Sequence, residues 1–183
     1  SSLPNYTFNI NHNSNLNAIF EPVSASFKKS LCSGWNTVSI PVKLQKDQLD
    51  EIVPLDQAEL VFSYNPLTRQ WVELGSNARL QPMDGIYVKI KPNTSATATM
   101  YPYDGLSTAY CKDLVRGWNL LGPALDIGAP EGYKMEAVDV IASLDNCYSQ
   151  ILSQRLPNQA GWFYIKGKNI SPEMYAGSAY WVY

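Results

Sequence analysis

The tripeptide Gly-Trp-Asn occurs twice in this chain, at 34–36 and at 117–119. Each copy opens an apolar run of the kind that forms a buried strand. Matching landmarks follow both copies in the same order, a tryptophan-initiated run and then an apolar closing run: 71–74 with 86–90, and 162–165 with 180–183. Shared order predicts an internal duplication, in which Trp35 corresponds to Trp118 and Trp71 to Trp162.

The composition suits a folded, strand-rich chain. Of 183 residues, 45% are hydrophobic, 12% aromatic and 16% charged, which provides enough apolar surface for a sizeable core. Short alternating runs predict strands, and the spacing of apolar residues predicts short helices within 44–55 and 135–144. The predicted fold class is therefore mainly β with short helices. We expect two pseudo-repeated units like β-sandwiches or barrels, at 24–105 and 106–183, after an N-terminal strand pair within 1–23.

The order of these landmarks resembles that of a known repeat. A Gly-Trp-Asn strand, a short helix, a Trp-initiated strand and a closure of the Gly-Tyr-Trp-Val type resemble a tandem repeat module of bacterial and archaeal surface and secreted proteins. The copies depart from it at Tyr87, where tryptophan is usual, and at Ala179, where glycine is usual. Residues 15–22 resemble the closing strand of a bacterial surface repeat. The N-terminal strands are thus expected to be the end of a preceding module.

The repeated residues are predicted to act as structural anchors. A tryptophan buries about 150–250 Å² and is able to organise a small core. The glycine before it permits a bulge or a close approach of the backbone, and the asparagine after it is able to satisfy backbone groups of a neighbouring turn. The predicted anchors are Trp35, Asn36, Trp71, Trp118, Asn119, Trp162 and Trp181.

The chain contains three cysteines, Cys32, Cys111 and Cys147. An odd number allows at most one disulfide within the chain. If a bridge forms, the pair Cys111–Cys147 is favoured, because both residues lie in the second half. The alternative is that all three thiols are reduced and buried as small apolar side chains.

No catalytic, cofactor-binding or metal-binding residue is predicted. His12 is the only histidine and lies in a polar turn, and no nucleotide-binding, zinc or calcium motif occurs. The acidic residues between 47 and 59 are interpreted as a solvated face, which leaves a small glycosidase-like enzyme as the least favoured alternative. A net charge of −2 without a basic stripe argues against nucleic acid. The absence of an apolar run of about 20 residues argues against membrane insertion.

Two functions stay open. The resemblance implies a non-catalytic structural or adhesion module, extracellular or at the cell surface, that contacts other domains of its parent protein or another surface protein. The alternative is a carbohydrate-binding module that uses exposed aromatic rings. Coplanar rings beside polar groups would favour sugar, and a continuous apolar patch with a polar rim would favour a protein. The predicted sugar platform consists of Tyr101, Tyr103, Tyr164 and Tyr175.

Overall fold

The computed structural model describes residues 26–103, 111–124, 132–144, 147–157, 159–168 and 170–183. Antiparallel strands dominate these residues and the helices are short, which confirms the prediction of a mainly β chain. The predicted strand pair within 1–23 and the predicted boundary between 105 and 106 lie outside the described residues.

The first part of the chain forms a four-stranded antiparallel sheet and a separate strand pair. Its elements are β1 (Phe27–Leu31), β2 (Gly34–Ser39), α1 (Leu49–Ile52), β3 (Ala58–Asn65), β4 (Gln70–Glu73), β5 (Gly85–Ile90) and β6 (Ala96–Met100). The strand order β2-β5-β3-β4 defines what we call the first sheet, and β1 pairs with β6.

The second part contains a sheet with the corresponding order. Its elements are β7 (Asn119–Leu121), β8 (Lys134–Glu136), α2 (Ala137–Val140), a 3-10 helix (Ala142–Leu144), β9 (Gln150–Ser153), β10 (Trp162–Ile165), β11 (Glu173–Tyr175) and β12 (Tyr180–Val182). The strands β7-β12-β9-β10 form the second sheet, and β8 pairs with β11. In both sheets the opening strand lies at one edge beside the closing strand, and a hairpin completes the other side.

One apolar face of each sheet lies in its own core. Val38, Val61 and Val88 of the first sheet are buried together with residues of α1 and of the β1–β6 pair. Ile151 and Val182 of the second sheet are buried together with residues of α2 and β11. Because side chains alternate across a strand, the opposite face of each sheet points away from its own core and is available to pack against another element.

The second predicted helix is shorter than its pattern suggested. The first two residues of the predicted helix 135–144 belong to the strand β8, and the α-helical turn covers only Ala137–Val140. Met135 pairs with the fully buried Met174 across the β8–β11 ladder. Backbone pairing to a distant segment therefore replaces the first helical turn, which local periodicity does not reveal.

The two sheets pack against each other through the faces that point away from their cores. Tyr87, Leu120 and Ala179 form a small buried cluster between them. The approach is close at Gly85, where an added Cβ would lie 2.8 Å from the Cβ of Ala179. Backbone hydrogen bonds also cross, since the Ser39 N–H donates to the carbonyl of residue 177 at 2.8 Å and the N–H of residue 122 donates to Met83 O at 3.2 Å.

Candidate functional site

Each Gly-Trp-Asn copy forms the same local structure. Gly34 and Gly117 both have positive φ, at 87° and 115°, and an added Cβ would meet no atom within 4 Å at either position. The glycines are therefore required for backbone conformation and not for close packing. Asn36 is fully buried, and its amide bonds the N–H and carbonyl of Cys32 and the carbonyl of residue 34.

The second copy repeats these bonds. Asn119 accepts from the N–H of Val115 at 3.1 Å and donates to the carbonyls of Val115 and Gly117 at 2.8 and 2.9 Å. The predicted role of both asparagines in satisfying backbone groups is therefore confirmed.

The anchor prediction expected the tryptophans to lie inside the cores, but none of the five is fully buried. Trp35 is 37% exposed and Trp71 is 49% exposed, and Trp118, Trp162 and Trp181 are half-buried. The reason is the two-residue period of a strand. Since the asparagine of each Gly-Trp-Asn copy points into the core, the neighbouring tryptophan is directed to the other face.

The strand register also corrects the predicted match of Trp71 with Trp162. Both Val72 and Trp162 pair with a serine of the neighbouring strand at the same register. Trp162 therefore corresponds to Val72, and Trp71 corresponds to Gly161. The two tryptophans lie on opposite faces of their sheets: Trp71 contacts Trp181 between the sheets, and Trp162 packs against the second core.

Aromatic rings fill the space between the sheets. Trp181 of the second sheet contacts Tyr64 and Trp71 of the first, with ring centroids 4.8 and 5.6 Å apart. Trp71 also contacts Tyr87 at 5.2 Å, with an interplanar angle of 88°. Edge-to-face contacts of this kind contribute about 0.5–1.5 kcal/mol each beyond the area they bury. This aromatic cluster joins the two sheets.

Tyr87 is the polar centre of the cluster. Its hydroxyl accepts a hydrogen bond from Trp181 Nε1 at 3.0 Å and donates to Gln154 Oε1 at 2.5 Å. Burial raises the pKa of Tyr87 above its usual value, and the hydrogen bond from Trp181 opposes that rise. The hydroxyl therefore stays protonated at neutral pH and is able to donate to Gln154.

A cleft of about 610 Å³ opens beside the cluster. Its floor consists of aromatic side chains from all four strands of the first sheet: Trp35, Phe62, Trp71 and Tyr87. Its wall consists of residues 154–157, which follow β9 of the second sheet. We call this feature the aromatic cleft. Its volume lies within the range of about 300–1,000 Å³ that is typical of ligand sites.

The wall of the aromatic cleft is held in place by hydrogen bonds. Leu156 and Gln159 bond each other through both backbone groups, at 3.0 and 3.1 Å. The side chain of Gln159 accepts from Thr37 Oγ1 of the first sheet at 2.6 Å and donates to Ser153 Oγ at 2.8 Å. An added Cβ on Gly161 would lie 2.7 Å from the backbone N of Arg155. These contacts fix the wall against both sheets.

The predicted sugar platform does not assemble as expected. Tyr164 is only 5% exposed and belongs to the second core, because its strand directs Phe163 outward and Tyr164 inward. Tyr101, Tyr103 and Tyr175 are exposed, and the ammonium of Lys43 lies over the ring of Tyr103 at 4.6 Å from the centroid.

A second cavity, of about 570 Å³, lies beside β1 and the second sheet and is more polar than the aromatic cleft. Trp162 and the buried Tyr180 line it, with rings stacked at 5.5 Å and an interplanar angle of 23°. Lys29, Gln159 and Glu173 also line it. The sequence did not single out Tyr180 or the wall residues 154–157 as site residues. The reason is that these residues join the two cavities only through the packing of the two sheets.

The predicted disulfide is absent. Cys32, Cys111 and Cys147 are all free, as the alternative of reduced thiols expected, but they are exposed and not buried, and the bridge Cys111–Cys147 is not formed. Cys111 lies in the segment before β7, whereas Cys147 lies after the 3-10 helix, where its N–H donates to Leu144 O. A bridge would require their Cα atoms to lie within about 7 Å of each other.

Within the described ranges, no group of three or more histidine, cysteine or acidic residues is placed to hold a metal ion. None of the helices in the described part of the chain is long and apolar enough to cross a membrane. The chain matches no protein-family model, and comparisons with curated proteins and with solved structures find no match either.

Proposed function

We propose that the chain is a non-catalytic binding module of an exported, multidomain surface protein, and that it contacts a protein partner through the aromatic cleft. The observation that carries this proposal is the exposure of Trp35 and Trp71 at a cleft whose floor is aromatic throughout. Exposed tryptophans in a concave, apolar site are typical of the residues that dominate protein interfaces. The location at the cell surface rests on the resemblance of the Gly-Trp-Asn copies to surface repeats.

The ring geometry favours a peptide over a sugar at this site. The rings of Trp71 and Tyr87 are perpendicular, and those of Trp35 and Tyr87 meet at 71°. Such an arrangement presents walls in several directions and is suited to enclosing an apolar side chain or a proline ring. A sugar ring would instead need a flat, open ring face on which to stack.

The fixed wall supports binding without a large ordering cost. Because the contacts of Gln159 with Thr37 and Ser153 hold the wall in place, a partner need not order it on binding. An extended segment of a partner, short enough to enter a cleft of about 610 Å³, fits these features.

Selection of displayed random peptides against the full chain, followed by fluorescence anisotropy with the selected peptides, tests the proposal. We expect peptides rich in apolar residues, with binding weakened at least about tenfold by Trp71→Ala. Phe163→Ala is the matched control, since Phe163 is 50% exposed but does not line the aromatic cleft. Equal affinity for both variants, at unchanged melting temperatures, would contradict the proposal.

Sugar binding is a second candidate, located at the polar cavity. The favouring observation is that Trp162 stacks on Tyr180 beside Lys29 and Glu173, a combination of ring and polar groups suited to hydroxyl-rich ligands. A glycan array distinguishes this function from peptide binding. We expect any glycan signal to be lost in Trp162→Ala and kept in Trp71→Ala, and an array without signal would remove this candidate.

A further inference from the structure

We propose that the occupant of the aromatic cleft is a partner's peptide segment in which an apolar residue lies next to an aspartate or glutamate. This inference rests on the proposed function and specifies the chemistry of its ligand. Its basis is the contrast between an apolar floor and a rim that presents hydrogen-bond donors.

The orientation of the Gln154 amide follows from its neighbours. An indole N–H only donates, so the Tyr87 hydroxyl accepts from Trp181 and its own proton is directed to Gln154. The atom of Gln154 that faces Tyr87 is therefore the amide oxygen. The –NH₂ group of the same amide takes no part in that bond, and Gln154 is exposed and lines the cleft, so this group is able to donate at the rim.

Arg155 adds a positive charge beside this amide. Its side chain is exposed and lines the aromatic cleft. Within the described residues, Arg155 forms no ion pair. Its backbone, by contrast, is fixed against Gly161, so the guanidinium extends from a rigid point of the wall.

The acidic groups on the same face of the first sheet do not occupy this position. Glu59 is paired with Lys89 at 2.6 Å, and Glu73 lies opposite Phe62 in the edge strand but does not line the cleft. The rim formed by Gln154 and Arg155 therefore offers N–H donors and a positive charge without a carboxylate of its own. A carboxylate accepts from both groups, and charge-assisted bonds of this type are about twice as strong as neutral ones.

The two parts of the site dictate the spacing of the ligand. Because the floor and the rim belong to one cleft, the apolar side chain and the carboxylate must be close neighbours in the peptide. A cationic residue at the same place would be repelled by Arg155, and a neutral amide would lose the charge-assisted component.

The test uses the full chain and matched synthetic peptides that are acetylated and amidated, so that a side chain supplies the only carboxylate. One set carries glutamate next to a tryptophan, a leucine or a proline, a second set carries glutamine instead, and a third carries lysine. We expect the glutamate peptides to bind about fivefold more tightly at low salt, and this advantage to shrink at high salt. Arg155→Gln should remove most of this advantage, because it should weaken the binding of the glutamate peptides more than that of the glutamine peptides.

Two further variants complete the test. Gln154→Glu keeps an oxygen that accepts from Tyr87 but places a negative charge at the rim. It should therefore weaken the binding of the glutamate peptides more than that of the glutamine peptides. Arg69→Gln is the control, because Arg69 is exposed in the turn of the first hairpin and does not line the cleft.

The outcomes separate the inference from the proposed function. Equal binding of glutamate and glutamine peptides, still lost in Trp71→Ala, would overturn the acidic ligand and leave the peptide-binding module intact. Preference for a lysine-containing peptide would also overturn it. Failure of every peptide to bind the native chain would overturn both.

Discussion

The two sheets share one strand order but differ at the hairpin that faces the other sheet. In the first hairpin Trp71 fills the space between Tyr87 and Trp181. The corresponding residue of the second hairpin is Gly161, which lies against the backbone of Arg155. The larger residue builds the floor of the aromatic cleft, and the smaller residue allows the wall to fold close. A functional cleft thus arises where two similar sheets depart from each other.

Other corresponding pairs show how a shared backbone takes up different chemistry. Tyr87 and Trp181 both lie next to the buried valine of their closing strands, and the two meet in a hydrogen bond across the interface. Ser39 and Gly122 likewise correspond, and each donates its N–H to the opposite half of the chain. The backbone contacts between the two sheets are therefore symmetric, whereas the side chains that differ between the sheets form the aromatic cleft.

The strongest way to break this correspondence is substitution at Gly122. An added Cβ would lie 2.0 Å from Ser39 Oγ and 2.6 Å from the carbonyl oxygen of Ser178. Because the second atom belongs to the backbone, it cannot swing away, and Gly122→Ala should lower the free energy of unfolding by about 2–3 kcal/mol. Chemical denaturation measures this, with Gly75→Ala as the control, since its Cβ would meet only Asn77 Oδ1 at 3.5 Å.

At the corresponding residue, Ser39, we expect substitution to raise the free energy of unfolding instead of lowering it. Ser39 Oγ is buried and has no hydrogen-bond partner among the described residues. Ser39→Ala removes that unsatisfied hydroxyl and should raise the free energy of unfolding by about 1 kcal/mol. Loss of stability in both Ser39→Ala and Gly122→Ala would show that the contact between the sheets is not packed as described.

Alkaline pH should destabilise the closing strand of the second sheet through Tyr180. Burial raises the pKa of Tyr180 from 10.0 to about 12, whereas the corresponding Ile86 does not titrate. The unfolded chain then loses the proton more readily, so this contribution to stability is complete below pH 10 and is lost as pH rises toward 12. The loss amounts to about 2–3 kcal/mol.

Tyr180→Phe tests this assignment. At pH 7 it should cost about 1–2 kcal/mol, because the N–H of Tyr175 loses the hydroxyl that accepts it at 2.7 Å. Above pH 10 the variant should lose less stability than the native chain in urea denaturation. Tyr101→Phe serves as control, since Tyr101 is 43% exposed. A parallel alkaline decline in Tyr180→Phe and the native chain would exclude Tyr180 as its source.

The smallest expected difference between the two halves is in the stability cost of removing their buried asparagines. Asn36→Ala and Asn119→Ala each remove the same three bonds and leave backbone groups of a turn unsatisfied. Each should cost about 2 kcal/mol, and the two costs should agree within about 1 kcal/mol. Thermal or urea unfolding checks both, beside the exposed Asn77→Ala. A clear difference between the two would mean that the shared local structure does not carry shared stability.

Much of the fold was predictable from local patterns. The strands that contain Val61, Val88 and Tyr164 follow from apolar and aromatic runs, and the bonds of Asn36 and Asn119 follow from asparagine beside a turn. The positions of the tryptophans did not follow. Alternation requires that Trp35 and Asn36 lie on opposite faces, but it does not say which face is covered by a core.

The aromatic cleft was beyond sequence reasoning for a related reason. Arg155 and Gln154 carry no motif, and they meet Trp71 only because residues from widely separated parts of the chain converge where the sheets pack. The error of matching Trp71 with Trp162 had the same origin. Residue type suggested the match, whereas hydrogen-bond register shifted it by one position and so reversed the face.

The amino-acid sequence by itself determined the mainly β class, the two Gly-Trp-Asn strands and the buried asparagine bonds, since these depend on neighbours a few residues apart. Only the tertiary structure decided which face of each sheet became the core, which tryptophans stayed exposed and where Arg155 lies. Those outcomes depend on the packing of one sheet on the other, and the free energy of that packing comes from contacts between residues that are distant along the chain.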